Sequence, residues 1–354
     1  MGDSCINAIG TAVPGHDVHR AFIEWAECRI EDPRARALFR RMAERSGIEH
    51  RWSVLAPGEG GGSPVDPGGF YEGTAPPTSR RMLVYAEEAP KLALEAIGRL
   101  ASQVSLEGIT HLVVASCTGF TAPGIDQILA GRLGLAEVER TLVGFMGCYA
   151  AVSALKVAHH IVRAEPEARV LAVTVELSSL HLQEEKEVEP LLAMLQFSDG
   201  AAAALITAEP RGFAIEGGFA TSLEDSAGLI TWTIGDTGFA MHLSGEVPAR
   251  IGAALHDAKV RAKLLGPWQV DEVDAWAVHA GGRSILDAVE KGLGLERQAL
   301  AASREVLSRY GNMSSSTLMF VLADLLERPE ARRGVALAFG PGVAAEGFRF
   351  ARAG

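Results

Sequence analysis

The apolar run Thr141-Leu142-Val143-Gly144-Phe145-Met146 passes through Gly147-Cys148-Tyr149 straight into a segment whose small apolar residues recur at helical spacing. The run has strand length and reads as a buried strand. Ala151, Ala154, Leu155, Ala158 and Ile161 then mark one face of a helix. A chain that turns from strand to helix over three residues points to an α/β architecture. Cys148 at that turn sits at a helix N-terminus, where unpaired backbone N–H groups and the helix dipole favour an anion and lower a thiol pKa. The alternative is a buried structural cysteine. Only a partner base distinguishes the two.

Suitable partners lie far away in the chain. Val273-Asp274-Ala275-Trp276-Ala277-Val278 reads as a strand ending on His279-Ala280-Gly281-Gly282-Arg283. A helix with Ile285, Leu286, Val289 and Leu293 on one face follows it. Asn312, in Tyr310-Gly311-Asn312-Met313-Ser314, precedes the apolar helix Leu318 to Leu326. Alone, His279 reads as an ordinary core histidine and Asn312 as a helix cap. Together with Cys148 they form a set of polar residues at the ends of apolar elements, which is where α/β scaffolds carry chemistry.

The strings Ser116-Cys117-Thr118-Gly119-Phe120, Gly147-Cys148-Tyr149-Ala150-Ala151, Phe197-Ser198-Asp199-Gly200-Ala201-Ala202, Val278-His279-Ala280-Gly281-Gly282, Gly311-Asn312-Met313-Ser314-Ser315 and Gly340-Pro341-Gly342 resemble those of the type III polyketide synthases. This is the chalcone synthase-like group of the thiolase superfamily, and the strings fall in its order over nearly the whole chain. The neighbouring ketoacyl-carrier-protein synthase III group also uses Cys, His and Asn. Its histidine, however, lies in a His-Gln-Ala-Asn string that this chain lacks.

A chain of 354 residues, 48% of them hydrophobic, can bury a large core. The resemblance implies an α/β thiolase-like fold of two similar halves in five αβαβα layers. Strands are expected at His111 to Ser116, Thr141 to Met146, Val170 to Val175 and Ala203 to Ile206 in the first half. Trp276 to Val278 and Val335 to Phe339 belong to the second. The break at Pro210-Arg211-Gly212 divides the chain into 1–212, with the nucleophile, and 213–354, with His279 and Asn312. No sequence repeat is visible.

Four cysteines, Cys5, Cys28, Cys117 and Cys148, show no metal-ligand spacing. Met1-Gly2 is followed by Ile6 where a myristoylation signal needs Ser or Thr, and no basic-then-apolar leader opens the chain. No stretch has the length and apolarity of a membrane span. A soluble, reduced, cytoplasmic protein is expected. A net charge of −11 argues against broad nucleic-acid binding. It also leaves a CoA ester to be met by local arginines. Arg45 and Arg51 are the candidates, with a solvated helix face as the alternative. Ala56 to Pro77, with Gly58-Glu59-Gly60-Gly61-Gly62, excludes regular structure and is either a lid or a disordered excursion. A helix restarts at Thr78, with Leu83, Ala86, Ala89, Leu92 and Leu94 apolar.

The resemblance assigns roles. His279 would pair with Cys148 and hold it as thiolate for attack on an acyl-CoA starter. His279, Asn312 and the Cys148 backbone N–H would stabilise oxyanions. Malonyl-CoA would lose CO₂ while its thioester oxygen is held by His279 and Asn312. No metal or organic cofactor is implied. Phe197 matches the family's first gatekeeper phenylalanine. At the second gatekeeper this chain has Met241, which suggests a more accommodating passage. Cys117, Thr118, Ser178, His181, Trp232 and Ser314 are cavity positions: His181 would make the wall titratable and Trp232 would narrow one lobe. Ala122 replaces a residue that reaches across the homodimer in plant members.

These departures disfavour a chalcone product and favour an aliphatic starter giving pyrones or resorcinols. Three other readings stay open: a synthase III-like enzyme fed by a malonyl carrier protein, a hydroxymethylglutaryl-CoA synthase-like condensation with Glu176 as general acid, and a catalytically inactive binding subunit.

Overall fold

The computed structural model describes residues 4–59, 63–73 and 75–354. Met1-Gly2 and the glycine run at positions 60–62 lie outside the described residues. Nine strands form one sheet in the order Ala275–Val278, Arg333–Gly340, Ala344–Ala353, Gly212–Ser222, Ser4–Ala12, Asp199–Thr207, Val170–Leu177, His111–Ser116, Glu139–Gly144.

The two ends of this sheet repeat one pattern. His111–Ser116 runs parallel to Val170–Leu177, which is antiparallel to Asp199–Thr207, itself antiparallel to Ser4–Ala12. In the same way Ala275–Val278 runs parallel to Arg333–Gly340, which is antiparallel to Ala344–Ala353, itself antiparallel to Gly212–Ser222. A short antiparallel contact, Ser4 to Ile6 against Phe213 to Ile215, joins the halves. Each half also carries one central helix before its second parallel strand: Ala150–Ala164 and Ser316–Leu326. By this correspondence Cys148 and Asn312 each precede a central helix. Cys117 and His279 each follow the first strand of their half.

The layers follow from burial. The central helices and the inner faces of both strand groups share one core, with Ala151, Ala154 and Leu155 facing Leu318, Met319 and Leu322 in that layer. Ser316 to Leu322 is buried on every side, as a helix sandwiched between sheets must be. Outside the first group, Thr78–Ala101 packs Tyr85, Ala89, Leu92, Ala96 and Leu100 on the sheet. Gly10 lies so close beneath this helix that a Cβ would come within 2.2 Å of the Leu100 backbone nitrogen. Outside the second group, Val247–His256 and Arg283–Leu293 cover Trp276, Val278, Val335 and Leu337. The result is five layers, αβαβα.

Two local expectations change. The strand before Cys148 is Glu139–Gly144, and it is an edge strand with only Val143 buried. It pairs on one side alone, with His111–Ser116. Leu83, one of the apolar residues of the helix restarting at Thr78, is 72% exposed, because the helix turns Tyr85 inward instead.

Candidate active site

The turn carrying Cys148 is set by two left-handed residues, Phe145 at φ 52° and Gly147 at φ 79°. Gly147 cannot carry a side chain: a Cβ there would meet the Pro341 ring at 2.4 Å. Gly340 is likewise pressed on Tyr149, where a Cβ would lie 2.5 Å from the ring. The Gly-Pro-Gly string is therefore the surface on which the Cys148 turn rests. Ala150–Ala164 begins two residues after Cys148. Ser314, itself left-handed at φ 48°, holds its hydroxyl 3.8 Å from the Cys148 sulfur.

His279 continues the strand Ala275–Val278, its N–H donating to Leu337 O at 2.8 Å. The side chain is 1% exposed and neither ring nitrogen has a hydrogen-bond partner among the described residues. Asn312 is tied in from both sides. Its N–H donates to Gln196 O at 2.8 Å, and its carbonyl accepts from Ser198 N at 2.9 Å. Its side-chain amide donates to Gly281 O at 3.2 Å, two residues beyond His279, while Oδ1 accepts from Ser314 N at 2.9 Å. Asn312 thus links the histidine turn to the serine beside the thiol. It does not cap the following helix, which starts at Ser316.

Burial acts against the expected ion pair. Burial pushes the Cys148 thiol up to about 12, outweighing the Ser314 hydroxyl, with Glu176 adding to the rise. Burial alone takes His279 down to about 3. Both shifts are in the direction that favours the uncharged form.

Cys117, Thr118, Cys148, Ser178, Phe197, Trp232, Met241 and Ser314 line one cavity. Ser178, Phe197, Trp232 and Met241 also line a second, larger one. Those four form the partition between the cavities. Trp232 and Met241 are cross-strand partners in the hairpin Ile230–Gly235/Gly238–Leu243. Trp232 is pinned by its indole N–H, which donates to Cys117 O at 2.9 Å. It therefore stands between the compartments rather than at the side of one lobe. His181 is not a titratable wall. Its Nδ1 accepts from Phe239 N at 3.1 Å, so Nε2 carries the proton given to Thr118 O at 2.7 Å, and burial holds its pKa down to about 3.

The glycine- and proline-rich segment contributes Ser63, Pro64, Val65 and Tyr71 to the larger cavity, and the Tyr71 hydroxyl donates to Ser179 O at 2.7 Å. In its described part, then, this segment is a wall. Sequence reasoning missed it, along with Ile230 and Pro341, which line the Cys148 cavity. Glu176 is enclosed: its carboxylate accepts from Cys117 N, the Thr118 hydroxyl and the Ser315 hydroxyl, and burial lifts it to about 7. Arg45 is exposed at the end of Pro33–Glu44, beside Arg283, whose guanidinium donates to Arg45 O. Arg51 is not on that surface. It is 4% exposed and its Nη1 donates to the main-chain carbonyls of Met194 and Phe197, so its charge is inside the fold.

Comparison with known proteins agrees with this arrangement. The family models for the N-terminal and C-terminal domains of chalcone and stilbene synthases match residues 1–210 and 215–352. Pks18 of Mycobacterium tuberculosis, described as an alpha-pyrone synthesis polyketide synthase-like protein, is 32% identical over 334 residues, which is 90% of this chain and 83% of that protein. The crystal structure of PKS-I from the brown alga Ectocarpus siliculosus superposes with a TM-score of 0.90 at 30% identity, covering 99% of both chains. The C-terminal type III polyketide synthase domain of Steely1 from Dictyostelium gives 0.87 at 25% identity, over 99% of this chain and 100% of that one. A chain with the thiolase-like layers, the cysteine turn and both family domains belongs to the chalcone and stilbene synthase family, the type III polyketide synthases.

Proposed function

We propose that this condensing enzyme loads an acyl-CoA on Cys148, extends it with malonyl-CoA and cyclises the product to a pyrone or resorcinol. The observation that carries the reading is the pair of unpartnered, buried ring nitrogens of His279, joined through Gly281 to the amide of Asn312. Buried donors left without a partner are costly unless a ligand supplies one. A thioester oxygen fits that need. Neutral His279 takes the Cys148 proton as sulfur attacks the starter carbonyl, and CoA leaves as its thiol. With malonyl-CoA bound, His279 and Asn312 donate to its thioester oxygen. Loss of CO₂ leaves an enolate there, and its carbon attacks acyl-Cys148, releasing the thiol and adding two carbons. Decarboxylation drives this sequence, so it calls on no metal or organic cofactor.

An aliphatic starter is supported by the apolar lining of the larger cavity, with Phe22, Trp25, Leu55, Val65, Met194 and Phe239. Arg45, exposed at its helix end, remains our CoA contact. A homodimer is supported by the one-sided edge strand Glu139–Gly144 and the exposed apolar residues Leu142, Phe120 and Leu83. Among the described residues no helix is long and apolar enough to cross a membrane. The exposed thiol of Cys28 supports a reducing, cytoplasmic setting.

The test is incubation with labelled malonyl-CoA and acyl-CoA starters from acetyl to palmitoyl, read by mass spectrometry. CO₂ release with pyrone or resorcinol products supports the reading. No product from any free CoA ester would sink it and point to carrier-protein substrates. In the same assay Trp232→Gly should open the partition and move the preferred starter to longer chains. It should also cost about 3–5 kcal/mol of stability, as loss of a packed indole does. An unchanged starter range in a folded variant would remove Trp232 from the control of chain length.

A further inference from the structure

We infer that Arg51 is a positioning residue for the condensing step, a buried cation that keys the turn of Phe197 to the loop of Asn312. The inference rests on the malonyl-CoA chemistry proposed above. Arg51 precedes the short strand Trp52–Ser53 and reaches inward, not toward solvent. Nη1 donates to Met194 O at 3.1 Å and to Phe197 O at 2.9 Å. Nε donates to His19 Nδ1 at 3.2 Å, and the guanidinium carbon lies 4.5 Å from the centroid of the Phe22 ring. His19 stays an acceptor because burial, then the Arg51 charge, hold its pKa down to about 4.

On its other side Arg51 meets the Asn312 loop. Gly311 has φ 67°, and a Cβ there would lie 2.9 Å from Arg51 Cγ and 3.1 Å from Gln196 O. The stem of the arginine thus occupies the space a side chain at 311 would need. Phe197 and Asn312 are already paired as a parallel bridge through Asn312 N to Gln196 O and Ser198 N to Asn312 O. Arg51 adds the third side of that frame by fixing the carbonyl of Phe197 itself.

The chemistry of the side chain supports this. A buried charge is expensive, and this one is held by hydrogen bonds from Nη1 and Nε rather than by an ion pair. Here no carboxylate meets the guanidinium directly. Asp17 accepts from the Arg51 backbone N–H at 3.1 Å, and its charge and that of Asp199 act only through space. Nη1 and Nε go to two carbonyls and an imidazole in fixed directions, which a planar guanidinium fork can satisfy and a lysine ammonium cannot, while Nη2 is buried without a partner among the described residues. Loss of the fork would leave Phe197 and Asn312 free to shift relative to each other, and a small misplacement at a reacting centre is costly in rate. The Cys148 turn makes none of the Arg51 hydrogen bonds, so starter loading should not feel the change.

The experiment separates the two half-reactions in the full-length enzyme. Arg51→Met and Arg51→Lys are compared with the unmodified chain for single-turnover acylation of Cys148, followed by mass shift, and for CO₂ release from malonyl-CoA. We expect decarboxylation kcat to fall at least tenfold in Arg51→Met, with its KM and the acylation rate within threefold of the original. Arg51→Lys should recover only part of the loss. Should Arg51→Met fail to fold, the same split in Arg51→Lys decides. Equal loss in both half-reactions, or loss in neither, would overturn the positioning role. If the unmodified enzyme acylates Cys148 but releases no CO₂, the malonyl-CoA reading itself fails, and with it this inference.

Discussion

Replacing His279 with alanine is expected to lower both Cys148 acylation and malonyl-CoA decarboxylation by a factor on the order of 10² or more. The imidazole is 1% exposed with both ring nitrogens unpartnered, so its environment does not supply the hydrogen bonds that would make burial favourable. Such a side chain contributes little to folding through polar contacts; its nitrogens become useful when a thioester oxygen or a thiol proton arrives. One residue then serves two steps, as base toward Cys148 and as donor toward the malonyl thioester. Both rates should fall together, with the thermal unfolding transition retained. Stopped assays of CO₂ release and mass-shift assays of acylation check this on the same preparation. Asn312→Ala should differ: it removes the amide held at Gly281 but leaves the base, so decarboxylation should fall more than acylation. Normal turnover in His279→Ala would end the role given to the histidine.

What could be read from the sequence, and what could not, follows from how local each signal is. The cysteine turn was legible because strand, turn and helix are contiguous, and the helix begins at Ala150 as its spacing indicates. The strands Val170–Leu177 and Arg333–Gly340 are buried along most of their length and read as apolar runs. The antiparallel strand Gly212–Ser222 escaped notice, since Glu216, Gly217 and Gly218 interrupt its apolar pattern and its partners are distant in sequence. Arg51 was assigned to a CoA-contacting surface because it follows Arg40, Arg41 and Arg45 in the region where the resembled family places such cations. Its real partners, Met194 and Phe197, are 143 and 146 residues away. His181 looked titratable for the same reason: the contacts that fix its tautomer come from Thr118 and Phe239. The triad itself came from motif resemblance. That Asn312 bridges the histidine turn to Ser314, and so to the thiol, is a property of three loops from different parts of the chain.

Iodoacetamide should label Cys148 in the empty enzyme only as pH rises beyond the range where an ordinary thiol titrates, about 8.5. Two effects oppose each other at this sulfur. The helix N-terminus favours a thiolate, typically by no more than a kcal/mol or so. Burial favours the thiol and pushes its pKa up to about 12, with Glu176 behind it acting in the same direction. Transfer of the proton to His279 would neutralise neither group. It would create two charges where burial has already taken the imidazole down to about 3. On this balance the thiolate is expected to form during attack rather than before it. Exposed Cys28 provides an internal reference, so peptide mapping across pH 6 to 10 gives both profiles from one sample. A raised thiol pKa means that Cys148 labelling lags behind Cys28 at pH 7.5 and approaches it only in alkali. His279→Ala should leave that profile in place. Preferential labelling of Cys148 near pH 6.5, lost in His279→Ala, would instead establish a preformed thiolate–imidazolium pair. In that case the field of the helix and the histidine would outweigh burial in this site.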